Sequence, residues 1–194
     1  MKPWALSLLP LVLAACTSRP AAQGPEPERL GVPVVLVTLG GDETAGSDLG
    51  FPEVVRSRWP QIVFRDALPT RAVWVNLSRE GLLVADALRA QADLVTADPP
   101  TIVTVWFGHG DELAGTPVAT FERELRDVVD PLVEDGASVY VVTGRSDLYE
   151  DAISAVIVES GAIAIDLTDL PRPLGIAGHA EAARRVAEAI GTVE

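Results

Sequence analysis

Five short apolar runs, rich in β-branched residues and set apart by helix-length segments, constrain this chain more than any other feature. They are Val34 to Leu39, Ala72 to Leu77, Ile102 to Phe107, Ser138 to Thr143 and Ala162 to Leu167. Each is the length of a strand and carries little polar interruption, which is how a strand buried on both faces reads. Between them lie amphipathic stretches. Gly81 to Thr96 carries Leu82, Leu83, Ala85, Leu88, Ala92 and Leu94 on or near one face. Thr116-Pro117 opens a longer helix to about Glu134, with Phe121, Leu125, Val128, Val129 and Leu132 at helical spacing. Ser146 and Asp147 can cap a helix running to Ser160, and Ile176 to Ile190 is the last. Phe51 to Arg58 reads as a short helix and Ile62 to Phe64 as an extended piece. Strands alternating with helices predict an α/β fold, a three-layer α/β/α flavodoxin-like sandwich around a parallel five-stranded sheet.

The amino terminus stands outside that pattern. Met1-Lys2 is a short positive start, Trp4 to Leu13 is apolar, and Leu13-Ala14-Ala15-Cys16 follows. This is the layout of a secretory signal peptide, too short for a bilayer span of about 20 apolar residues. LAAC looks like a bacterial lipobox, in which Cys16 becomes the first mature residue and carries lipid. Cys16 is also the only cysteine, so no internal disulfide can form. Thr17 to Pro33 is rich in Pro and Gly and reads as a flexible tether. The expected organisation is a signal peptide over 1–15, a lipidated Cys16 and tether over 16–32, and one domain over 33–194. The partner so implied is a membrane surface outside the cytoplasm, reached through the lipid on Cys16. The formal charge of −13, from 28 acidic and 15 basic residues, offers no basic patch and disfavours nucleic acid.

The first run ends in LGGDETAG, Leu39 to Gly46, where two glycines permit a sharp turn at the carboxyl end of a strand. This segment resembles the first block, LGDSLTAG, of the SGNH (GDSL-type) hydrolase family. Three further blocks extend the resemblance from Val34 to Ile190. NLSREGLLVADAL (Asn76 to Leu88) is similar to NLGVSGATVADLL, and Gly81 matches the glycine whose amide donates to the oxyanion. VTVWFGHGDELAG (Val103 to Gly115) is similar to VTVWLGVNDLLAG, with Gly108 and Asp111 matched. LTDLPRPLGIAGHAEAARRVAEAI (Leu167 to Ile190) is similar to DGLHPSAAGHALIA, which holds the acid and the base.

At the positions that carry chemistry the chain departs from the family. The nucleophilic Ser falls on Asp42, and the oxyanion-stabilising Asn falls on Gly110. Anchored on the Asp-x-x-His-Pro end, the acid is Asp169 and the base position holds Arg172. Anchored on Gly178-His179, those positions hold Leu170 and Pro173. Neither register supplies an imidazole, and His179 matches a position that serves structure. A carboxylate has no proton to surrender, and an arginine cannot accept one. Losing one oxyanion donor typically costs about 10² to 10³ in rate, and losing a nucleophile or base on the order of a millionfold. Of the four signature positions only Gly81 is kept.

The resemblance therefore implies a scaffold without family-type ester hydrolysis, acting as an envelope binding or accessory module for a glycan or an acylated ligand. Its expected binding residues are Asp42, Gly81, Gly110, Asp111 and Arg172, with Asp42 and Arg172 near enough to pair. The alternative is an active esterase or lipase with atypical catalytic residues. Ser47 and Thr44 read as capping residues rather than displaced nucleophiles. Asp42, Glu43, His109, Asp111 and Glu112 gather at two strand ends, but their spacing is not that of a specific metal site. No metal or cofactor is expected.

Overall fold

The computed structural model describes residues 34–91, 100–144 and 146–191. Five parallel strands form one sheet in the order β2-β1-β3-β4-β5. They are β1 (Val35–Gly40), β2 (Val73–Asn76), β3 (Ile102–Trp106), β4 (Ser138–Thr143) and β5 (Ile163–Asp166). Register is continuous across the centre: Val37 pairs with Val75 on one side and with Val103 on the other. The helices are α1 (Asp42–Ala45), α2 (Trp59–Asp66), α3 (Val84–Gln91), α4 (His109–Ala114), α5 (Val118–Glu134), α6 (Glu150–Ser160) and α7 (Gly175–Ile190).

Alternation along each strand divides the core in two. Val35, Val37 and Leu39 of β1, with Val103, Val105, Val139 and Val141, pack beneath Val84 and Ala87 of α3 and the apolar faces of α5 and α6. Leu36, Ile102, Trp106, Tyr140 and Val142 point the other way, onto Trp59 and Val63 of α2 and Ala182, Ala183 and Val186 of α7. The result is the three-layer sandwich that the strand runs predict. Each fully buried Leu or Phe contributes roughly 1.5 to 3 kcal/mol, so the two interfaces dominate the favourable side of folding. No helix among the described residues is long and apolar enough to cross a membrane.

Four expectations need correction. Ile62 to Phe64 is not extended but lies in α2, where Trp59 and Val63 stand one turn apart and are both buried. Proline at the start of that helix is no obstacle, because the first-turn amides have no intrahelical acceptor. Phe51 to Arg58 forms only a single 3-10 turn, Glu53–Val55. The third helix begins at Val84, because Gly81 adopts φ +69° and belongs to a turn; its expected end at Thr96 lies outside the described residues. The sixth helix starts at Glu150 with no side-chain cap, because the Ser146 hydroxyl donates instead to Glu112, at 2.7 Å. The turns α1 and α4 are short helices that the apolar spacing does not reveal. The proposed signal peptide, Cys16 and the tether to residue 32 lie outside the described residues.

Candidate functional site

The site is built where β1, β2 and β3 end. Gly40 closes β1 against its neighbours so tightly that a Cβ there would lie 2.2 Å from the Thr44 hydroxyl and 2.8 Å from the Trp106 carbonyl oxygen. Only glycine permits that approach. The Gly41 amide then donates to the Trp106 carbonyl at 3.3 Å, and α1 starts at once, with Asp42 in its first turn.

Asp42 faces the turn after β2. Its Oδ1 accepts the Gly81 backbone N–H at 2.7 Å. A carboxylate oxygen thus occupies the donor that the family resemblance assigns to a reaction oxyanion. The Ser47 hydroxyl donates to the Asp42 carbonyl at 3.2 Å, fixing the turn that follows α1. Thr44 is fully buried, and neither hydroxyl meets a histidine.

Gly110 borders the same turn. A Cβ at Gly110 would stand 3.3 Å from the Leu82 carbonyl oxygen and 3.9 Å from the Gly81 carbonyl carbon. An asparagine there would therefore be directed at the Gly81 turn; glycine leaves no side-chain donor. Asp42, Gly81 and Gly110 thus lie together at one turn.

Arg172 is not brought to Asp42. Its guanidinium donates to the Gly144 carbonyl at 2.8 Å and reaches Asp147 at 3.8 Å, so the expected carboxylate–guanidinium pair does not form. The carbonyl at the end of β4 and the Asp147 charge draw it to the far side of the cavity. Asp169, at the acid position, is held at both oxygens by Arg185 of α7, at 2.5 and 2.8 Å. The arginine grip keeps the Asp169 carboxyl below the ordinary carboxylate range.

Asp111 does not line the cavity. It is fully buried and points into the core, where its oxygens lie 3.3 and 3.4 Å from the Val84 amide that opens α3. Burial pushes its pKa up to about 6, against the Val84 hydrogen bond and aided by the nearby Glu124 charge. Its work is to tie α4 to α3.

His179 is buried among α7, α2 and the loop after α1. Its Nδ1 accepts the Trp59 N–H at 3.3 Å, so a ring nitrogen caps the start of α2. The proton then resides on Nε2, which donates to Asp48 at 2.8 Å; the other Asp48 oxygen accepts the Gly175 amide at 2.7 Å. Burial opposes ionisation of Asp48, but the bonds from His179 and Gly175 outweigh it and leave the carboxyl below its usual range.

These elements enclose a cavity of about 400 Å³, lined by Asp42, Glu43, Asp48, Glu80, His109 and Arg172, with Ser47, Pro173 and Leu174. Sequence reasoning did not single out Asp48 or Glu80 as part of it; an acidic residue in a turn carries no local signal. The chain's two histidines, His109 and His179, make no hydrogen bond to a hydroxyl among the described residues. Nor do any three His, Cys, Asp or Glu side chains there converge to hold a metal ion. Glu112, one of the acidic residues gathered at the strand ends, accepts the Ser146 hydroxyl.

No protein-family model matches the chain, and no curated protein matches it. Solved structures are. The esterase EstA from Pseudoalteromonas sp., inhibited by monoethylphosphonate, superposes with a TM-score of 0.66 at 18% identity, over 80% of this chain and 96% of that one. A variant of an acetyl-xylooligosaccharide esterase from Geobacillus gives 0.65 at 16%, over 81% and 94%. A member of the lipolytic G-D-S-L family from Veillonella parvula gives 0.60 at 15%, over 80% and 97%. The fold is that of the SGNH (GDSL) esterase structures, at low sequence identity.

Proposed function

We propose that this protein is a ligand-binding or accessory module of the bacterial cell envelope, built on an esterase scaffold and lacking the family's ester hydrolysis. One observation carries the reading: the Asp42 carboxylate accepts the Gly81 N–H at 2.7 Å. A donor that stabilises a transient oxyanion must be free to receive it. Here it is filled by a side-chain oxygen of the chain itself. No imidazole stands ready to take a proton from a hydroxyl, so nucleophile activation is missing as well.

The ligand enters the 400 Å³ cavity between Asp42 and Arg172. Its class is an acylated glycan fragment, in keeping with the acetyl-xylooligosaccharide esterase among the structural neighbours. Lipid on Cys16 holds the domain at a membrane surface outside the cytoplasm, with residues 17–32 as the tether.

The purified chain, incubated with nitrophenyl acetate and butyrate, is expected to give no turnover above buffer and no adduct with an organophosphonate. Brisk hydrolysis with stoichiometric labelling of a serine or threonine would establish the alternative, an esterase with displaced catalytic groups. Replacing Cys16 with alanine should move the protein from the membrane fraction to the soluble one; unchanged partition would remove the anchor.

A further inference from the structure

A second cavity, of about 490 Å³, lies on the other side of the Gly81 turn, between the carboxyl end of β2 and α3. Asn76, Leu77, Ser78, Arg79, Leu82, Asp86 and Arg89 line it. Its chemistry is the reverse of the first. Two guanidinium groups face one carboxylate there, in a chain whose formal charge is −13.

The hydrogen bonds decide which of these groups are available. The Asn76 side-chain oxygen takes three donors: the Thr38 hydroxyl at 2.9 Å, the Ser78 amide at 3.0 Å and the Ser78 hydroxyl at 2.5 Å. Because a backbone N–H can only donate, the atom it meets must be oxygen, and the orientation of the Asn76 amide is settled. Its NH₂ group is therefore on the opposite branch, with two donors and no acceptor among the described residues. Arg79 is exposed, and its guanidinium makes no hydrogen bond among the described residues, although its charge is felt by Asp86; its backbone amide anchors the turn to the Gly40 carbonyl at 3.2 Å. Asp86 is already committed to Arg89 and, more weakly, to the Leu83 amide at 3.5 Å. The cavity thus offers donors and positive charge in excess, beside an apolar wall from Leu77 and Leu82.

We propose that this cavity is a binding site for a small organic anion carrying a carboxylate or phosphate group. The anionic group is forked by the Arg79 guanidinium and takes the Asn76 NH₂, and the body of the ligand lies against Leu77 and Leu82. The site does not depend on what happens at Asp42, so it stands or falls separately from the reading above.

The test is titration of the ¹⁵N-labelled full chain with inorganic phosphate and with glucuronate, followed through the Asn76 side-chain NH₂ and the Ser78 and Arg79 amides. Saturable shifts with a Kd of about 1 mM or tighter are expected, tighter for glucuronate than for phosphate and weakening as salt rises. Asn76→Asp keeps the acceptor oxygen for Thr38 and Ser78 and exchanges the two donors for a charge. Arg79→Gln removes the guanidinium at an exposed position. Each should weaken binding about tenfold or more, the loss of roughly one charge-assisted contact. Arg123→Gln, on the exposed face of α5, should change nothing. Absence of saturation with both anions would overturn the proposal. So would binding that survives Asn76→Asp and Arg79→Gln, or that falls equally in Arg123→Gln.

Discussion

The Oδ1 of Asp42 lies 2.7 Å from the Gly81 amide nitrogen, although 39 positions separate the two residues in the chain. Every expectation about this cleft turns on that contact. Asp42→Ser empties the donor and restores a hydroxyl, yet supplies no base. The variant should therefore hydrolyse nitrophenyl acetate no faster than the parent protein. A turnover rising by two or more orders of magnitude would show that a base is present after all.

Asp42 and Arg172 face different partners, and their energetic independence can be measured. In a double-mutant cycle of Asp42→Ala and Arg172→Ala, the coupling in thermal or denaturant unfolding should stay below about 0.3 kcal/mol, as for sites sharing no partner. Coupling above about 1 kcal/mol would restore the ion pair. By contrast, Asp169→Ala and Arg185→Ala should couple measurably, since that grip is bidentate.

Asp111 makes stability fall as the solution becomes less acidic. Its folded pKa of about 6 lies above the ordinary 3.8, so between those values the native state holds more proton than the unfolded chain. The stabilisation is complete below about pH 4 and is lost by about pH 7, amounting to about 3 kcal/mol. Asp111→Asn should remove this slope from the variant's own profile, so that the difference between the two unfolding profiles changes with pH across that range. Parallel profiles for the two proteins would contradict the assignment.

His179 supports three elements at once. In His179→Ala the Trp59 amide loses its acceptor inside the protein and a cavity opens between α7 and α2. The expected cost is roughly 3 kcal/mol, from the unsatisfied donor and the lost packing together. Denaturant unfolding measures it, and a loss within about 0.5 kcal/mol, the range of surface substitutions, would mean the contacts are idle.

Gly144 tolerates no side chain. At φ +94° a Cβ would lie 2.4 Å from the Thr168 Cα and 2.5 Å from its amide nitrogen, and backbone cannot move aside cheaply. Gly144→Ala should destabilise by about 3 kcal/mol or more and shift Arg172, which rests on the Gly144 carbonyl. An alanine variant as stable as the parent would show that the end of β4 is loosely held.

The central strands β1, β3 and β4 were legible because burial on both faces demands continuous apolar runs, while the edge strands β2 and β5 stay partly open to solvent despite their apolar sequence. Val103 and Val141 had to be apolar wherever the helices fell. The long helix α5 was equally plain, since Phe121, Leu125, Val128 and Leu132 repeat at its period. Helix α2 was obscured because Ile62-Val63-Phe64, a run of three apolar residues, has no period of its own. Only the neighbouring α7, with His179 capping Trp59, selects the helical form. Likewise α4 hides behind Gly108 and Gly110, which local propensity counts against a helix.

The order of chemistry-bearing residues along the chain determined which groups exist: a carboxylate where the related pattern has a hydroxyl, glycine for asparagine, arginine or proline for histidine. Tertiary structure alone decided their partners. Asp42 meets the Gly81 amide and Arg172 the Gly144 carbonyl, each a charged side chain satisfied by a backbone group of another loop. Side-chain identity is local information. Distances between residues 39 or 28 positions apart are set only when the sheet and its two helix layers are assembled.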